Sequence, residues 1–161
     1  MNVNEEEPVK KSLIFHGGFC RVAVPKIIKS RYTKDFGDGF YCTKIQVQAE
    51  KWARKNETPV VSVFEYNDFT DVEYCDFAEM TDEWLDFIVS CRNGTKHNFD
   101  IVSGAMADDQ IWNYIADFAD GIISREQFWV LARFKYPTHQ IVFCTDKSLK
   151  KLKFVESYEV N

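Results

Sequence analysis

Two aromatic side chains are the residues best suited by type and spacing to bind a ligand: Tyr41 and Trp52, eleven positions apart. Two aromatic faces can hold a flat ring between them, and each stacking contact is worth about 1 kcal/mol beyond burial of the ring. Tyr41 follows the segment 36–40, whose two glycines allow a tight turn to lead into a strand. Taken singly, each aromatic also fits the core, Tyr41 in a strand and Trp52 in a helix.

Two polar pairs add hydrogen-bonding chemistry. His16 is followed by Gly17 at the end of a short predicted strand, and a glycine backbone can approach a ligand closely because no Cβ intervenes. His139 and Gln140 are adjacent at the start of another predicted strand. Neighbouring strand residues face opposite sides, so only one of this second pair can point into a cleft unless a bulge intervenes.

The elements that must position these residues alternate irregularly between strands and helices. The sequence predicts strands at 12–16, 40–42, 60–66, 99–102, 140–144 and 153–156, and helices at 44–55, 82–92, 108–118, 125–134 and 146–152. A Gly-Gly turn is expected after the first strand. Thr43-x-x-Gln46 has the form of a capping box, and Thr81 that of an N-cap. Single helices of differing length between strands favour an α+β sheet fold over regular βαβ winding.

Length and composition favour one globular domain. The 161 residues, 45% of them hydrophobic, are enough for a single core, which we place at 10–158 after a frayed acidic N-terminus at 1–9. The net charge of -5 gives no general attraction to nucleic-acid backbones. No apolar run approaches the roughly 20 residues of a membrane span, and the N-terminus does not resemble a signal peptide. We therefore expect a cytoplasmic protein with no membrane partner.

The cysteine spacing argues against disulfide and zinc sites, and one short motif resembles a kinase magnesium site without the motifs that accompany it. The five cysteines are scattered and form no CxxC pair, which argues against a disulfide framework and a zinc site, so no metal is expected. Asp35-Phe36-Gly37 matches the magnesium-binding triplet of protein kinases. The glycine-rich phosphate loop and the catalytic loop of kinases are missing from the sequence. We therefore treat the triplet as a chance match.

Three ordered segments carry a family resemblance: 15–17 (FHG), 36–43 (FGDGFYCT), and 139–145 (HQIVFCT) with the run to Phe154. In order and spacing they resemble the catalytic core of the poly(ADP-ribose) polymerases and a small uncharacterised bacterial branch, the domain-of-unknown-function family 3990. The resemblance covers nearly the whole chain. It implies the ADP-ribosyltransferase-like fold, an α+β fold with a split β-sheet and flanking helices.

The resemblance also implies a ligand and a binding role for four residues. It makes NAD the substrate and cofactor. His16 would bond the adenosine-side ribose, and the backbone of Gly17 would pair with the nicotinamide amide. Tyr41 and Trp52 would stack on the nicotinamide ring.

The last segment departs from the family pattern. Where the polymerases have a glutamate, register places His139, with Gln140 beside it, and both are candidate catalytic residues. We favour Gln140, because the bacterial branch shares the QIVF stretch. A glutamine can orient a ribose hydroxyl but supplies no charge, so Gln140→Glu is predicted to raise cleavage of NAD. A carboxylate could instead come from Asp100, or from Asp108 and Asp109, which also suit the first turn of a helix.

The function implied is mono-ADP-ribosylation. An NAD-dependent transferase of this kind would act on an unidentified macromolecular acceptor, protein or nucleic acid. Polymer formation is not expected, because chain elongation in the family depends on the glutamate. The alternative is a non-catalytic NAD-binding or interaction module in which the missing glutamate means lost chemistry.

Overall fold

The computed structural model describes residues 12–29, 34–107, 109–132 and 138–161. Within these ranges the chain forms seven strands and five helices, a mixed α+β architecture as predicted. The elements are β1 (Ser12–Gly18), β2 (Phe40–Cys42), α1 (Gln46–Ala53), β3 (Val60–Tyr66), β4 (Tyr74–Asp76), α2 (Asp82–Arg92), β5 (Ile101–Gly104), α3 (Asp109–Ala119), α4 (Arg125–Ala132), β6 (Gln140–Phe143), α5 (Asp146–Leu149) and β7 (Lys153–Glu159). The acidic segment predicted at 1–9 lies outside the described residues. None of the described helices has the length and apolar character needed to cross a membrane.

The strands form two sheets that meet at one point. One sheet has the order β1-β3-β7 and is antiparallel, and the other has the order β2-β6-β5-β4 with β4 and β5 parallel. In the described part of the chain a single β-bridge joins the sheets: Phe15 and Thr43 exchange two backbone hydrogen bonds of 2.9 Å. Beyond this bridge β1 and β2 separate.

Strand β6 is buried on both faces, as expected for a strand inside a layered core. Ile141 and Phe143 belong to a hydrophobic cluster shared with residues of β1 and β3. Val142 points to the other side, into a cluster formed with α2, α3 and α4. Gln140 is two residues from Val142 and therefore shares the face on the helix side.

Helix α1 lies directly on β1, and this changes two sequence-based expectations. The predicted Gly-Gly turn is wrong: Gly17 and Gly18 pair with β3 and extend β1. A Cβ added at Gly17 would lie 2.0 Å from the carbonyl oxygen of Ala49 in α1. The glycine therefore allows the helix backbone to approach the strand, a different reason from the ligand contact inferred from sequence.

The start of α1 also differs from the prediction. Thr43 is held in the bridge to β1, and its Oγ1 accepts a hydrogen bond of 3.0 Å from the backbone N–H of Ile45. The capping box with Gln46 is therefore not formed, and the helix begins at Gln46 without a side-chain cap. A β-bridge uses the backbone of Thr43, so helix geometry can begin only after it.

The other helix signals were confirmed. Thr81 caps α2 by accepting from the backbone N–H of Trp84. Ser124 and Gln127 form a reciprocal cap at the start of α4. The short strand β4 was not predicted, because a three-residue strand carries too little periodicity to recognise.

Candidate functional site

A cleft of about 390 Å³ lies where β1 and β2 separate beyond the bridge. It brings together five of the six residues selected from sequence: His16, Gly17, Tyr41, Trp52 and Gln140. Five further residues line it: Lys34, Asp35, Arg92, Met106 and Trp112. Among the described residues, the cleft thus has aromatic walls, two cationic side chains and one carboxylate.

His16 is fixed as a neutral hydrogen-bond acceptor toward the cleft. Its Nδ1 lies 2.7 Å from the carbonyl oxygen of Tyr41. A carbonyl can only accept, so Nδ1 carries the proton and Nε2 keeps a free lone pair. Burial lowers the pKa of His16, and the positive charge of Lys34 adds to this effect. The ring also stacks on Phe40, with centroids 4.3 Å apart, so its orientation is defined.

Gly17 presents its peptide groups to the edge of β1 where the cleft opens. In an antiparallel strand, alternate residues direct N–H and C=O to the same edge. Phe15 uses these groups to bond Thr43, away from β3. Gly17, two residues later, therefore directs its own N–H and C=O to that same edge, beyond the point where β2 has diverged.

The Tyr41 ring is held at its hydroxyl by the glycine-rich turn. The hydroxyl donates to the carbonyl oxygen of Gly37 at 2.6 Å and accepts from the N–H of Phe36 at 3.2 Å. Burial raises the pKa of Tyr41, so the phenol keeps its proton. The Nζ of Lys34 lies 4.7 Å from the ring centroid, a cation–π contact. The face of this ring therefore already attracts a positive charge.

Gln140 offers its carbonyl oxygen to the cleft. The side chain is buried, and its Nε2 donates to Oδ2 of Asp35 at 3.0 Å, with the carbonyl oxygen of Ala105 at 3.4 Å. Both partners are acceptors, so the amide must turn its NH₂ group toward them. Oε1 is thereby left to accept a hydrogen bond from a ligand.

Asp35 is the centre of this network, although its motif suggested only a chance match. Arg92 donates to Oδ1 through Nε at 3.2 Å and through Nη2, and the side chains are 9% and 10% exposed. The N–H of Ala107 and the amide of Gln140 donate to Oδ2, each at 3.0 Å. All four strong acceptor positions of the carboxylate are therefore used.

Arg92 and Trp112 also line the cleft, and sequence reasoning missed both. The guanidinium carbon of Arg92 lies 3.1 Å from the centroid of the Trp112 ring. Arg92 is separated from Asp35 by 57 residues and follows no recognisable spacing pattern. The sequence signals available were only a helix-terminal arginine and an exposed-face tryptophan, neither of which indicates a site.

Comparison with protein families gives one assignment. Residues 13–154 match the model of a family described as "Protein of unknown function (DUF3990)". The chain belongs to the DUF3990 family. The matched DUF3990 region contains every cleft residue. No curated protein and no solved structure gave a significant match.

In this DUF3990 chain His139 lies outside the cleft, unlike Gln140 beside it. Its Nδ1 accepts from the backbone N–H of Lys44 at 3.2 Å, and its ring faces a separate pocket shared with Asp76. Burial and the nearby Lys44 lower the pKa of His139 to about 4. The two adjacent side chains thus face opposite sides, and the structure gives His139 no contact with the cleft.

Of the acidic alternatives, Asp100 does not supply a carboxylate to the cleft. Asp100 accepts from the N–H of Glu73 and the hydroxyl of Thr145, at 2.8 and 2.7 Å, and these bonds lower its pKa. It ties the start of β5 to neighbouring loops and does not line the cleft. Asp108 lies outside the described residues, as does the side chain of Asp109.

Proposed function

We propose that the protein is an NAD-dependent mono-ADP-ribosyltransferase with the ADP-ribosyltransferase-like fold. The observation that carries the proposal is that His16, Gly17, Tyr41, Trp52 and Gln140 all line one cleft. These residues come from four separate elements of the chain, β1, β2, α1 and β6. Two sheets joined by one bridge also agree with the split sheet that the resemblance implies.

The polar groups of the cleft match the needs of NAD⁺. The outward N–H and C=O of Gly17 pair with the carboxamide of nicotinamide. The rings of Tyr41 and Trp52 bind the flat pyridinium, and an electron-rich ring face favours a cation. The free Nε2 of His16 accepts a hydrogen bond from a ribose hydroxyl, which agrees with its neutral state.

In the proposed transfer, the bond between the nicotinamide nitrogen and ribose C1′ breaks, and its electron pair leaves with nicotinamide. A nucleophile of the acceptor forms the new bond to C1′ and releases its proton to solvent. Gln140 orients the ribose by accepting a hydrogen bond from a ribose hydroxyl at Oε1. It carries no charge, and the neighbouring Asp35 is offset by Arg92, so stabilisation of the developing cation is modest. This supports a single transfer.

The same charge arrangement favours a second candidate, a module that binds NAD⁺ without cleaving it. Position 140 is an amide, and the one carboxylate among the described lining residues is paired with Arg92. Binding needs only the aromatic, histidine and glycine contacts, which do not depend on that charge.

The two candidates are separated by incubating the protein with NAD⁺ labelled in its adenylate part, with cell lysate as acceptor. Released nicotinamide is measured by chromatography, and labelled macromolecules are resolved by class. Transfer predicts equal amounts of nicotinamide and attached label. Binding seen by calorimetry without nicotinamide release supports the binding module, and absence of binding contradicts both.

Trp52→Ala tests whether the cleft is where NAD⁺ binds. Loss of one stacking wall is expected to weaken binding by about 1–3 kcal/mol, measured by calorimetry. Trp129→Ala is the matched control, because this tryptophan lies on α4 and does not line the cleft. Equal affinities of the two folded variants would place Trp52 outside the binding site.

A further inference from the structure

One donor in the cleft is buried without a hydrogen-bond partner. Arg92 uses Nε and Nη2 on Asp35, and no described residue accepts from its Nη1. The side chain is only 9% exposed, so bulk water gives this N–H group little compensation. Buried donors in folded proteins nearly always have a partner, and an exception calls for a ligand or another specific explanation.

The unpaired donor is held in a fixed orientation. The carboxylate of Asp35 binds Nε and Nη2, and the guanidinium carbon lies over the ring of Trp112, 3.1 Å from its centroid. These two contacts leave the planar group little freedom to turn Nη1 elsewhere. A ligand atom that reaches Nη1 therefore meets a preorganised donor.

The charges around Nη1 indicate what kind of ligand atom would accept a hydrogen bond from it. Lys34 and Arg92 are cations of the cleft wall, and Asp35 is the one carboxylate among its described residues. His16 is neutral at pH 7, because burial lowers its pKa. The wall therefore carries an excess of positive charge, and Lys34 and Arg92 are donors without any acceptor capacity. An anionic oxygen suits this surface better than a neutral carbonyl.

We propose that Arg92 Nη1 and Lys34 form a subsite for a phosphate group of a nucleotide. Phosphate oxygens are strong acceptors of charge-assisted hydrogen bonds from arginine, and lysine adds a point charge. NAD⁺ carries two phosphates, so the subsite deepens the proposed function of this cleft and rests on it for its nucleotide. Phosphate binding itself requires neither nicotinamide nor group transfer, so it can be tested separately. The subsite would hold the phosphate of any nucleotide whose base or ring enters the aromatic part of the cleft.

A purely structural role for Arg92 makes a different prediction. If Arg92 only neutralises Asp35, a lysine at this position supplies the same charge. A phosphate subsite additionally needs the Nη1 donor, which lysine lacks. Arg92→Lys therefore separates the two roles, and Arg125→Lys is the matched control. Arg125 pairs with Asp82 and Asp86 and lies outside the cleft.

The experiment is calorimetric titration of the full chain with inorganic pyrophosphate, ADP and adenosine. We expect Arg92→Lys to weaken binding of pyrophosphate and ADP by about tenfold or more, the usual effect of losing a hydrogen bond to a charged group. Adenosine should bind both proteins alike, and Arg125→Lys should match the parent. Lys34→Gln against Lys51→Gln provides a second pair, since Lys51 is exposed on α1 outside the cleft. If Arg92→Lys does not fold, this pair carries the test.

Three results would overturn the subsite. The first is that the parent protein does not bind pyrophosphate and ADP at millimolar concentration. The second is that Arg92→Lys binds both as tightly as Arg125→Lys does. The third is that Arg92→Lys weakens the binding of adenosine as much as the binding of ADP. If Arg92→Lys does not fold, equal binding of pyrophosphate and ADP by Lys34→Gln and Lys51→Gln would also overturn the proposed subsite. Absence of nicotinamide release together with Arg92-dependent ADP binding would reject the proposed transferase and leave the subsite intact.

Discussion

At the scale of single residues, the cleft depends on how one amide is oriented. The NH₂ group of Gln140 is committed to Asp35, which leaves its carbonyl oxygen to face a ligand. An amide can donate to the aspartate and accept from a hydroxyl at the same time, whereas an ionised glutamate can only accept. This gives a physical reason for a glutamine at position 140.

Gln140→Glu is therefore expected to have the opposite effect to the one inferred from sequence. A glutamate would place a second carboxylate about 3.0 Å from Oδ2 of Asp35. The repulsion should lower the free energy of unfolding at pH 7 by about 1–3 kcal/mol and give no gain in nicotinamide release. Urea denaturation and a release assay measure the two effects.

The pH dependence of this variant follows from the same repulsion. Like charge raises the folded-state pKa of one carboxyl above its unfolded value, so the loss of stability is present at pH 7 and shrinks as that carboxyl takes up a proton at lower pH. Denaturation at pH 7 and pH 5 shows whether this occurs. A variant as stable as the parent at both pH values, with faster release, would mean that its carboxylate points away from Asp35.

His16→Ala is expected to weaken NAD⁺ binding by about 1–2 kcal/mol, because one hydrogen bond from a ribose hydroxyl is lost. The acceptor role also sets a pH dependence. Burial lowers the pKa of His16 from 6.5, so its Nε2 stays unprotonated at pH 7 and affinity should fall only when the pH drops below that lowered pKa. Calorimetry from pH 8 to pH 5 tests this. His97→Ala is the control outside the cleft, and affinity that rises on acidification would contradict the acceptor role.

At the scale of elements, the position of α1 decides the width of the cleft. The helix backbone contacts β1 at Gly17, and α1 carries Trp52 to the wall. The amide of Gln48 on the same helix bonds the backbone of His139 just before β6. Helix α1 is thus fixed to a strand of each sheet.

Gly17→Ala is expected to lower the free energy of unfolding by about 1–3 kcal/mol. The new Cβ would lie 2.0 Å from the carbonyl oxygen of Ala49, so the helix must move away from the strand. NAD⁺ affinity should fall as well, because Trp52 moves with the helix. Gly18→Ala is the matched control, since its nearest contact is the ring of His16 at 3.3 Å. Equal unfolding energies of the two variants would contradict close packing at Gly17.

At the scale of the whole molecule, the buried ion pair joins distant parts of the chain. Asp35 precedes β2, Arg92 ends α2, and Gln140 begins β6. The cleft therefore exists only when both sheets and the helices α1, α2 and α3 are assembled. A ligand that binds there should stabilise the complete fold.

Removing one partner of the Asp35–Arg92 pair should lower the free energy of unfolding much more than replacing both partners. Asp35→Ala leaves the charge of Arg92 buried and two donors without an acceptor, so we expect a loss of about 3–5 kcal/mol in the free energy of unfolding. Asp35→Asn combined with Arg92→Gln removes both charges and should cost less. Denaturation of the three proteins at pH 7 provides the comparison. A double variant less stable than Asp35→Ala would show that the pair contributes more than mutual neutralisation.

Much of the fold could be predicted because it depends on near neighbours in the chain. The α2 helix follows from the Thr81 cap and the spacing of its apolar residues, and β3 follows from a run of β-branched and aromatic residues. Caps and periodicity act within a few residues, so the sequence alone contains them. Strand alternation also predicted that only one of His139 and Gln140 faces the cleft, whereas the preference for Gln140 came from the family resemblance.

The surroundings of Gln140 depend on contacts between distant parts of the folded chain. Gly17 became part of a strand because β3 pairs with it, and Thr43 lost its capping role because β1 binds its backbone. Asp35 and Arg92 form a buried pair across 57 residues that no local pattern marks. A carboxylate can be buried only where the folded chain brings it a cation and several donors, and that condition depends on packing between distant elements.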